Sequence, residues 1–318
     1  NVGEAPGITP ARNEHVTDPK NGELDMLFLF DHVGIDQEGS KWNTVPFEVK
    51  NLRARLADQQ EAVRNAGWAS LFFCNHDQPR VVSRWGNDSD RESRELSAKA
   101  FGMLLHMHRG TPYIYEGEEL GMTNAHFTEL GQYRDLEAIN AYRQRVEEAR
   151  CQSSESMMAA LALIGRDNSR TPMQWDASRY AGFTAADAAT EPWIGVNPNH
   201  VEINAAEEFD DPDSVYGFYK KLIAMRHDNA TVATGEWNLL AADDEQVYAF
   251  TRTSGDDTIL VVVNLTDRSA GLPGEVAELL GDGVAESQIL LSTYDAVHSV
   301  KSIARGELAR WEGVVIQL

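Results

Sequence analysis

Short runs of consecutive apolar residues alternate with longer amphipathic segments over the first two thirds of the chain. The apolar runs cover residues 1–4, 25–30, 69–74 and 111–115. Runs that are apolar on both faces are typical of buried parallel strands. Apolar side chains recur at helical spacing in residues 49–63, 96–107 and 215–222,. This alternation predicts βαβ units and therefore a parallel sheet.

The pattern changes twice further along the chain. Residues 120–212 contain an acidic helical stretch (133–150) and then a polar loop with glycine, proline and aromatic residues. Ordered loops of this length inside a domain are usually functional. From about residue 235, short strands separated by turn residues cover 247–252, 258–264, 288–291 and 313–318. We predict an α/β domain in residues 1–233 and an antiparallel β-sandwich domain in residues 234–318.

The composition argues against several classes of partner. The 318 residues include 28 Lys and Arg and 50 Asp and Glu, which gives a formal net charge of −22. Such an acidic excess repels phosphate backbones and anionic lipid surfaces, so we expect neither nucleic-acid nor membrane binding. Two cysteines cannot form a disulfide framework,. The sequence contains no recognisable metal-ligand cluster or phosphate-binding loop, so we expect no metal and no cofactor.

Each of the four predicted parallel strands ends in a carboxylate, namely Glu4, Asp31, Asp77 and Glu116. In a (β/α) barrel the active site is built at the carboxyl ends of the strands. Paired carboxylates there suit glycoside hydrolysis, which needs a proton donor and a nucleophile on opposite sides of the bond. From the pattern alone, an equally simple alternative is that these residues cap the following helices. His76 beside Asp77 has the same two interpretations, a ligand of sugar hydroxyls or a turn histidine.

Four ordered segments resemble signature segments of the α-amylase family (glycoside hydrolase family 13). Residues 2–7 resemble the end of barrel strand five, and residues 75–88 resemble the fourth signature of the family. Residues 111–124 resemble the eighth strand with its following loop, and residues 165–176 are typical of the oligo-1,6-glucosidase and α-glucosidase branch. The resemblance implies that residues 1–233 are the C-terminal half of a (β/α)8 TIM barrel, strands five to eight, with a long insert at about 120–212.

The resemblance also implies roles for individual residues. Glu4 matches the general acid/base, and Asp77 matches the carboxylate that stabilises the oxocarbenium-like transition state. His76 matches the histidine that binds sugar hydroxyls in subsite −1. Arg166 matches the arginine that helps to close the pocket around the non-reducing end in exo-acting members.

Further candidates have two open interpretations each. Arg80 lies where members line the site near subsite +1, and Asp31 lies at the site-facing end of strand six, where either substrate contact or a structural role is possible. The loop aromatic residues are either sugar-stacking platforms or packing anchors. They are Trp175, Phe183 and Trp193.

The nucleophile of the family, an aspartate after strand four, has no counterpart in this sequence. We therefore expect a C-terminal half that is inactive alone and needs the missing N-terminal half of the barrel. The resemblance implies a retaining, exo-acting, oligo-1,6-glucosidase-like α-glucosidase of the cytoplasm, acting on isomaltose- or maltose-like oligosaccharides. The alternatives are a sucrose isomerase or transglucosidase of the same family, whose Arg/Asp-rich loop after strand six is absent from residues 31–39, and a non-catalytic carbohydrate-binding relative.

Overall fold

The computed structural model describes residues 1–281 and 283–318. The strands are β1 (Val2–Glu4), β2 (Met26–Phe28), β3 (Gln37–Glu38), β4 (Ser40–Thr44), β5 (Ala69–Leu71), β6 (Thr111–Pro112), β7 (Glu236–Leu240), β8 (Val247–Ser254), β9 (Asp257–Asn264), β10 (Ala270–Gly271), β11 (Ile289–Ser292), β12 (Glu307–Leu308) and β13 (Gly313–Gln317). The α-helices are α1 (Pro10–Thr17), α2 (Val49–Glu61), α3 (Val81–Arg84), α4 (Arg91–Met107), α5 (Leu136–Tyr142), α6 (Ser154–Ile164), α7 (Ala205–Glu208), α8 (Val215–Asp228), α9 (Ala230–Thr234), α10 (Gly274–Leu280) and α11 (Ala296–Ala304). Single 3-10 turns cover Glu118–Leu120, Leu130–Gln132, Arg166–Ser169, Pro198–Val201 and Glu286–Gln288, and a π-helical segment covers Arg143–Glu148.

The four predicted parallel strands form one sheet in the order β1-β2-β5-β6. All three neighbouring pairs are parallel, which confirms the predicted architecture and is consistent with part of a barrel. The paired strands are shorter than the apolar runs in the sequence. In β6 only Thr111 and Pro112 pair with β5, and Pro112 has no amide hydrogen to extend the ladder.

Three long helices cover the sheet, and side-chain caps fix where two of them begin. Asp90 accepts a hydrogen bond from the Ser93 amide (2.9 Å) at the start of α4, and Ser214 accepts one from the Gly217 amide (3.0 Å) at the start of α8,. α4 and α8 pack closely because Gly102 has no side chain; a Cβ there would lie 2.7 Å from the Tyr219 ring. None of the described helices has the length and apolar character needed to cross a membrane.

The C-terminal residues form the predicted antiparallel sheet, with strand order β11-β13-β9-β8-β7. One face, which includes Phe250 and Val261, joins the same apolar core as α2, α4 and α8. The opposite face, which includes Val262, packs against Val276 of α10 and Ile303 of α11. The second layer of this sandwich is therefore formed by two helices and the β10–β12 pair.

The insert between β6 and α8 has a core of its own. The predicted acidic helix appears as α5 followed by the π-helical segment. The polar loop expected after it contains α6, which Ser153 caps by accepting from the Ser156 amide (3.1 Å). Met157 and Leu161 of α6 are buried against Phe127 and Tyr133. Because this folding orders the segment that follows α6, it places Arg166. The domain boundary at 233/234 remains a prediction.

Candidate active site

The carboxyl ends of the parallel strands meet at one edge of the sheet, and two of the predicted catalytic residues lie there. Glu4 is the last residue of β1, is exposed, and is paired in register with Phe28 of β2. Asp77 follows the end of β5 by six residues and its side chain is 40% exposed. Both carboxylates are therefore on the side where barrel enzymes bind substrate.

A tight turn presents His76 and Asp77. The Asn75 side chain accepts a hydrogen bond from the Asp77 amide (2.7 Å), and the Gln78 amide donates to the Asn75 carbonyl (3.2 Å). Asparagine favours such turns because its side chain mimics a backbone turn. His76 Nε2 lies 3.5 Å from Asp77 Oδ2, and the histidine side chain is 67% exposed. The pair is therefore accessible to a ligand.

Two arginines from the insert contact Asp77 on its other oxygen. Asp77 Oδ1 accepts hydrogen bonds from Arg170 Nη2 (2.5 Å) and Arg166 Nη1 (3.4 Å). Arg170 Nε also donates to the backbone carbonyl of His76 (2.7 Å). The segment after α6 and the turn after β5 are thereby joined at the edge of the sheet.

Arg166 forms a second, two-pronged ion pair with Asp135. Its Nε and Nη2 donate to the two Asp135 carboxylate oxygens at 2.9 and 2.8 Å. Glu137 lies 3.2 Å from the same guanidinium and accepts from Lys41 at 2.6 Å. Burial alone would raise the pKa of Asp135, but the hydrogen bonds from Arg166 hold that pKa below its usual value,. The site therefore alternates positive and negative side chains, which suits the recognition of hydroxyl groups.

The 3-10 turn that carries Arg166 is anchored from several directions. Asp167 is buried and accepts hydrogen bonds from the amides of Arg134 (2.6 Å) and Asp135 (2.8 Å). Asn168 donates to the carbonyl of Gly165 (3.0 Å). These contacts fix the backbone between Arg166 and Arg170, so the side chains of both arginines start from a well-defined position.

Arg80 lies deeper than its place in the sequence suggests. Its side chain is 1% exposed, with Nη1 donating to the Glu116 carbonyl and Nη2 to the Ser169 carbonyl (3.5 Å). The guanidinium also lies 5.2 Å from the Tyr115 ring centroid. Because its contacts are with backbone carbonyls and an aromatic ring, Arg80 joins the loop after β6 to the turn carrying Arg166. We propose this supporting role for it in place of substrate contact.

Asp31 and His32 are placed differently from each other. Asp31 is exposed, so substrate contact remains a prediction for it. His32 is buried, and its ring contacts the Phe72 carbonyl (2.9 Å) and the Gln59 side chain (3.2 Å). Burial lowers the pKa of His32 to about 4, so it is a neutral structural residue at physiological pH.

Three aromatic side chains of the insert remain on the surface. Trp175 is 53%, Phe183 is 52% and Trp193 is 61% exposed. About half of each of these side chains is buried and the rest is exposed, so sugar stacking and packing both remain predictions. Two further residues of the site, Arg170 and Asp135, were not singled out from the sequence. Arg170 lies within the 165–176 segment, four residues after Arg166. Its position in the same signature segment as Arg166 could have identified it.

Two protein-family models and many known proteins match this chain. A family model described as the alpha amylase catalytic domain matches residues 1–235, and one described as the maltogenic amylase C-terminal domain matches residues 237–286. The oligo-1,6-glucosidase of Parageobacillus thermoglucosidasius is 40% identical over 320 residues, covering 100% of this chain and 54% of that protein.

Solved structures extend the comparison. The trehalose-6-phosphate hydrolase of Bacillus licheniformis has a TM-score of 0.89 at 38% identity, covering 99% of this chain and 55% of that one. The isomaltulose synthase of Protaminobacter rubrum has a TM-score of 0.86 at 32% identity, with 99% and 55% covered. The chain thus spans about half the length of the relatives it matches.

Proposed function

Because the chain belongs to the alpha-amylase family, we propose that it is part of a retaining, exo-acting α-glucosidase of the oligo-1,6-glucosidase type. Its substrates are short isomaltose- or maltose-like oligosaccharides, and its location is the cytoplasm. The observation that carries the proposal is the cluster around Asp77, where Arg166, Arg170 and His76 converge at the carboxyl edge of the parallel sheet. Similarity to curated oligo-1,6-glucosidases supports the choice of linkage.

The site residues divide the chemistry between them. Glu4 in its acid form protonates the glycosidic oxygen, and in its base form it activates the water that completes the reaction. Asp77 stabilises the positive charge that develops at the anomeric carbon, and His76 hydrogen-bonds the sugar hydroxyls beside it. Arg166 and Asp135 close the end of the site that receives the non-reducing glucose.

The nucleophile of such an enzyme is a further carboxylate outside the residues assigned here. A retaining mechanism needs a second carboxyl group about 5–5.5 Å from the acid/base to form the covalent glycosyl-enzyme. We propose that the N-terminal half of the barrel supplies it and that the 318 residues alone do not hydrolyse glycosides. β1 and β6 are the two edge strands of the parallel sheet. We propose that strands of the N-terminal half pair with these edges.

The anomeric form of the first product tests this proposal. We expect the full-length protein that carries this chain to release α-glucose from isomaltose, seen by proton NMR before mutarotation, because two displacements retain configuration. Glu4→Gln removes the proton donor and should abolish turnover, and the 318-residue chain should be inactive on p-nitrophenyl α-glucoside. First release of β-glucose, or an inactive full-length protein, would contradict the proposal.

A second candidate function is isomerisation of sucrose, which the structural match to an isomaltulose synthase favours. The same full-length protein incubated with sucrose distinguishes the two. An isomerase yields a disaccharide that chromatography separates from sucrose, whereas the proposed hydrolase forms no such product and instead releases glucose from isomaltose. If neither sucrose, isomaltose nor maltose reacts but isomaltose binds, the non-catalytic carbohydrate-binding alternative is supported.

A further inference from the structure

The side chain of Arg170 holds two consecutive residues of the proposed active site at once. Its Nε donates to the backbone carbonyl of His76 at 2.7 Å, and its Nη2 donates to Asp77 Oδ1 at 2.5 Å. One rigid, planar guanidinium therefore fixes the backbone and the carboxylate of the same turn. A lysine ammonium can also donate to two acceptors, but it lacks the rigid planar fork that fixes the direction of both hydrogen bonds.

The two oxygens of Asp77 are used differently as a result. Oδ1 receives both Arg170 and, at 3.4 Å, Arg166. Oδ2 faces His76 Nε2 at 3.5 Å, beyond a good hydrogen bond. The Oδ2 side is thus the one presented to a ligand, and the orientation of the carboxylate is set by the contact on Oδ1.

Arg170 can orient Asp77 because backbone hydrogen bonds fix the position of Arg170 itself. It follows the 3-10 turn Arg166–Ser169, and its amide donates to the Asp167 carbonyl (3.1 Å). The Ser169 carbonyl accepts from the Tyr115 hydroxyl (3.0 Å). The Arg170 side chain is 24% exposed, and a second carboxylate, that of Asp135, lies 3.9 Å from its Nη1. The cation is therefore partly shielded and balanced on both sides by carboxylates.

We propose that Arg170 is a positioning residue that orients Asp77 for transition-state stabilisation. This inference rests on the proposed function, because it concerns the carboxylate assigned there. Its effect passes through Asp77, so its removal should slow the chemical step while leaving substrate binding largely intact.

A double-mutant cycle in the full-length protein tests this role, with p-nitrophenyl α-glucoside as substrate. We expect Arg170→Gln to lower kcat on the order of 10²-fold, because a misplacement of about 1 Å at a reacting centre costs that much. Arg170→Lys keeps the charge but not the planar fork, so it should recover kcat by roughly 10-fold relative to Arg170→Gln. In both variants KM should stay within about threefold of the parent.

The second arm of the cycle separates positioning from other roles. In an Asp77→Asn background, Arg170→Gln should cause no further loss of kcat, because the group it orients is already altered. The control is Arg179→Gln, which removes an exposed arginine paired only loosely with Glu191 at 3.4 Å and should leave kcat unchanged. Thermal unfolding of each variant reports on folding, and if Arg170→Gln does not fold, a loss of kcat in folded Arg170→Lys carries the test.

The outcomes distinguish this inference from the proposed function. An active parent whose kcat is unaffected by Arg170→Gln would overturn the positioning role and leave the α-glucosidase assignment standing. If Arg170→Gln lowers kcat equally in the parent and in the Asp77→Asn variant, Arg170 acts independently of Asp77. That result also overturns the inference. An inactive parent would overturn the proposed function itself.

Discussion

The carboxyl edge of the parallel sheet and the C-terminal antiparallel sheet are held together by different interactions. At the edge, Asp77 is fixed by arginines from a segment about 90 residues away. In the C-terminal sheet, β8 and β9 are joined by a tight hairpin and bury their side chains on both faces. The first region consists of partly exposed charges and the second of apolar packing. We therefore expect substitutions in the second region to change stability and substitutions in the first to change the proposed chemistry.

The largest change in the free energy of unfolding is expected when a buried side chain of the C-terminal sheet is removed. Phe250 is fully buried on β8 and contacts Trp237 and His108. Phe250→Ala should lower the free energy of unfolding by about 3–5 kcal/mol, because it removes apolar contacts and leaves a cavity. Denaturant unfolding of the full-length protein measures this loss, and its kcat at 25 °C should not change. The comparison fails if kcat falls while the free energy of unfolding is unaltered.

A matched substitution on the same sheet sharpens the result. Leu290 on β11 is 37% exposed, so Leu290→Ala removes an aliphatic side chain with much less burial. We expect a change of about 0.5 kcal/mol or less in the free energy of unfolding. A loss as large as that of Phe250→Ala would mean that burial does not determine which residues stabilise this sheet.

An effect no larger than that of Phe250→Ala is expected from a buried carboxyl group behind the site. Glu118 accepts from the Tyr219 hydroxyl (3.1 Å), and burial raises its pKa to about 7 although this hydrogen bond opposes the shift. Between pH 4.5 and about 7 the folded state keeps a proton that the unfolded state loses, so the free energy of unfolding falls as pH rises through that window. The expected contribution is on the order of 3 kcal/mol at most.

Glu118→Gln removes this titration while keeping the shape of the side chain. Unfolding measured at pH 5 and pH 8 should show similar stability of variant and parent at pH 5 and a more stable variant at pH 8. The contributions of the buried histidines, whose pKa values are lowered, are present in both proteins and cancel in the difference. A pH-independent difference between the two proteins would contradict the role assigned to Glu118.

The sequence predicts the C-terminal sheet better than it predicts the contacts at the carboxyl edge of the parallel sheet. The runs that became β8 and β9 are local patterns, since their apolar residues are consecutive in the chain and pair through one turn. α6 was missed because its Met, Ala and Leu residues form a continuous apolar run on a background of polar loop, without a clear helical stripe. α11 was missed for another reason, because it lies in a segment where strands were expected.

The site was predictable only in part. Resemblance singled out Glu4, His76, Asp77 and Arg166 one at a time. The pairing of Arg166 with Asp135 joins residues 31 positions apart, and no spacing rule connects residues that meet through the folding of an insert. The burial of Arg80 was equally hidden, since a polar residue after a turn is normally exposed.

The kcat of Asp77→Asn in the full-length protein tests the central claim most directly. The substitution keeps the shape and removes the charge that is proposed to stabilise the transition state at the carboxyl edge of the sheet. We expect kcat for p-nitrophenyl α-glucoside to fall by about 10²–10³-fold or more, with an unchanged thermal unfolding midpoint. A variant that retains kcat within about threefold of the parent would contradict the assignment of catalysis to this edge.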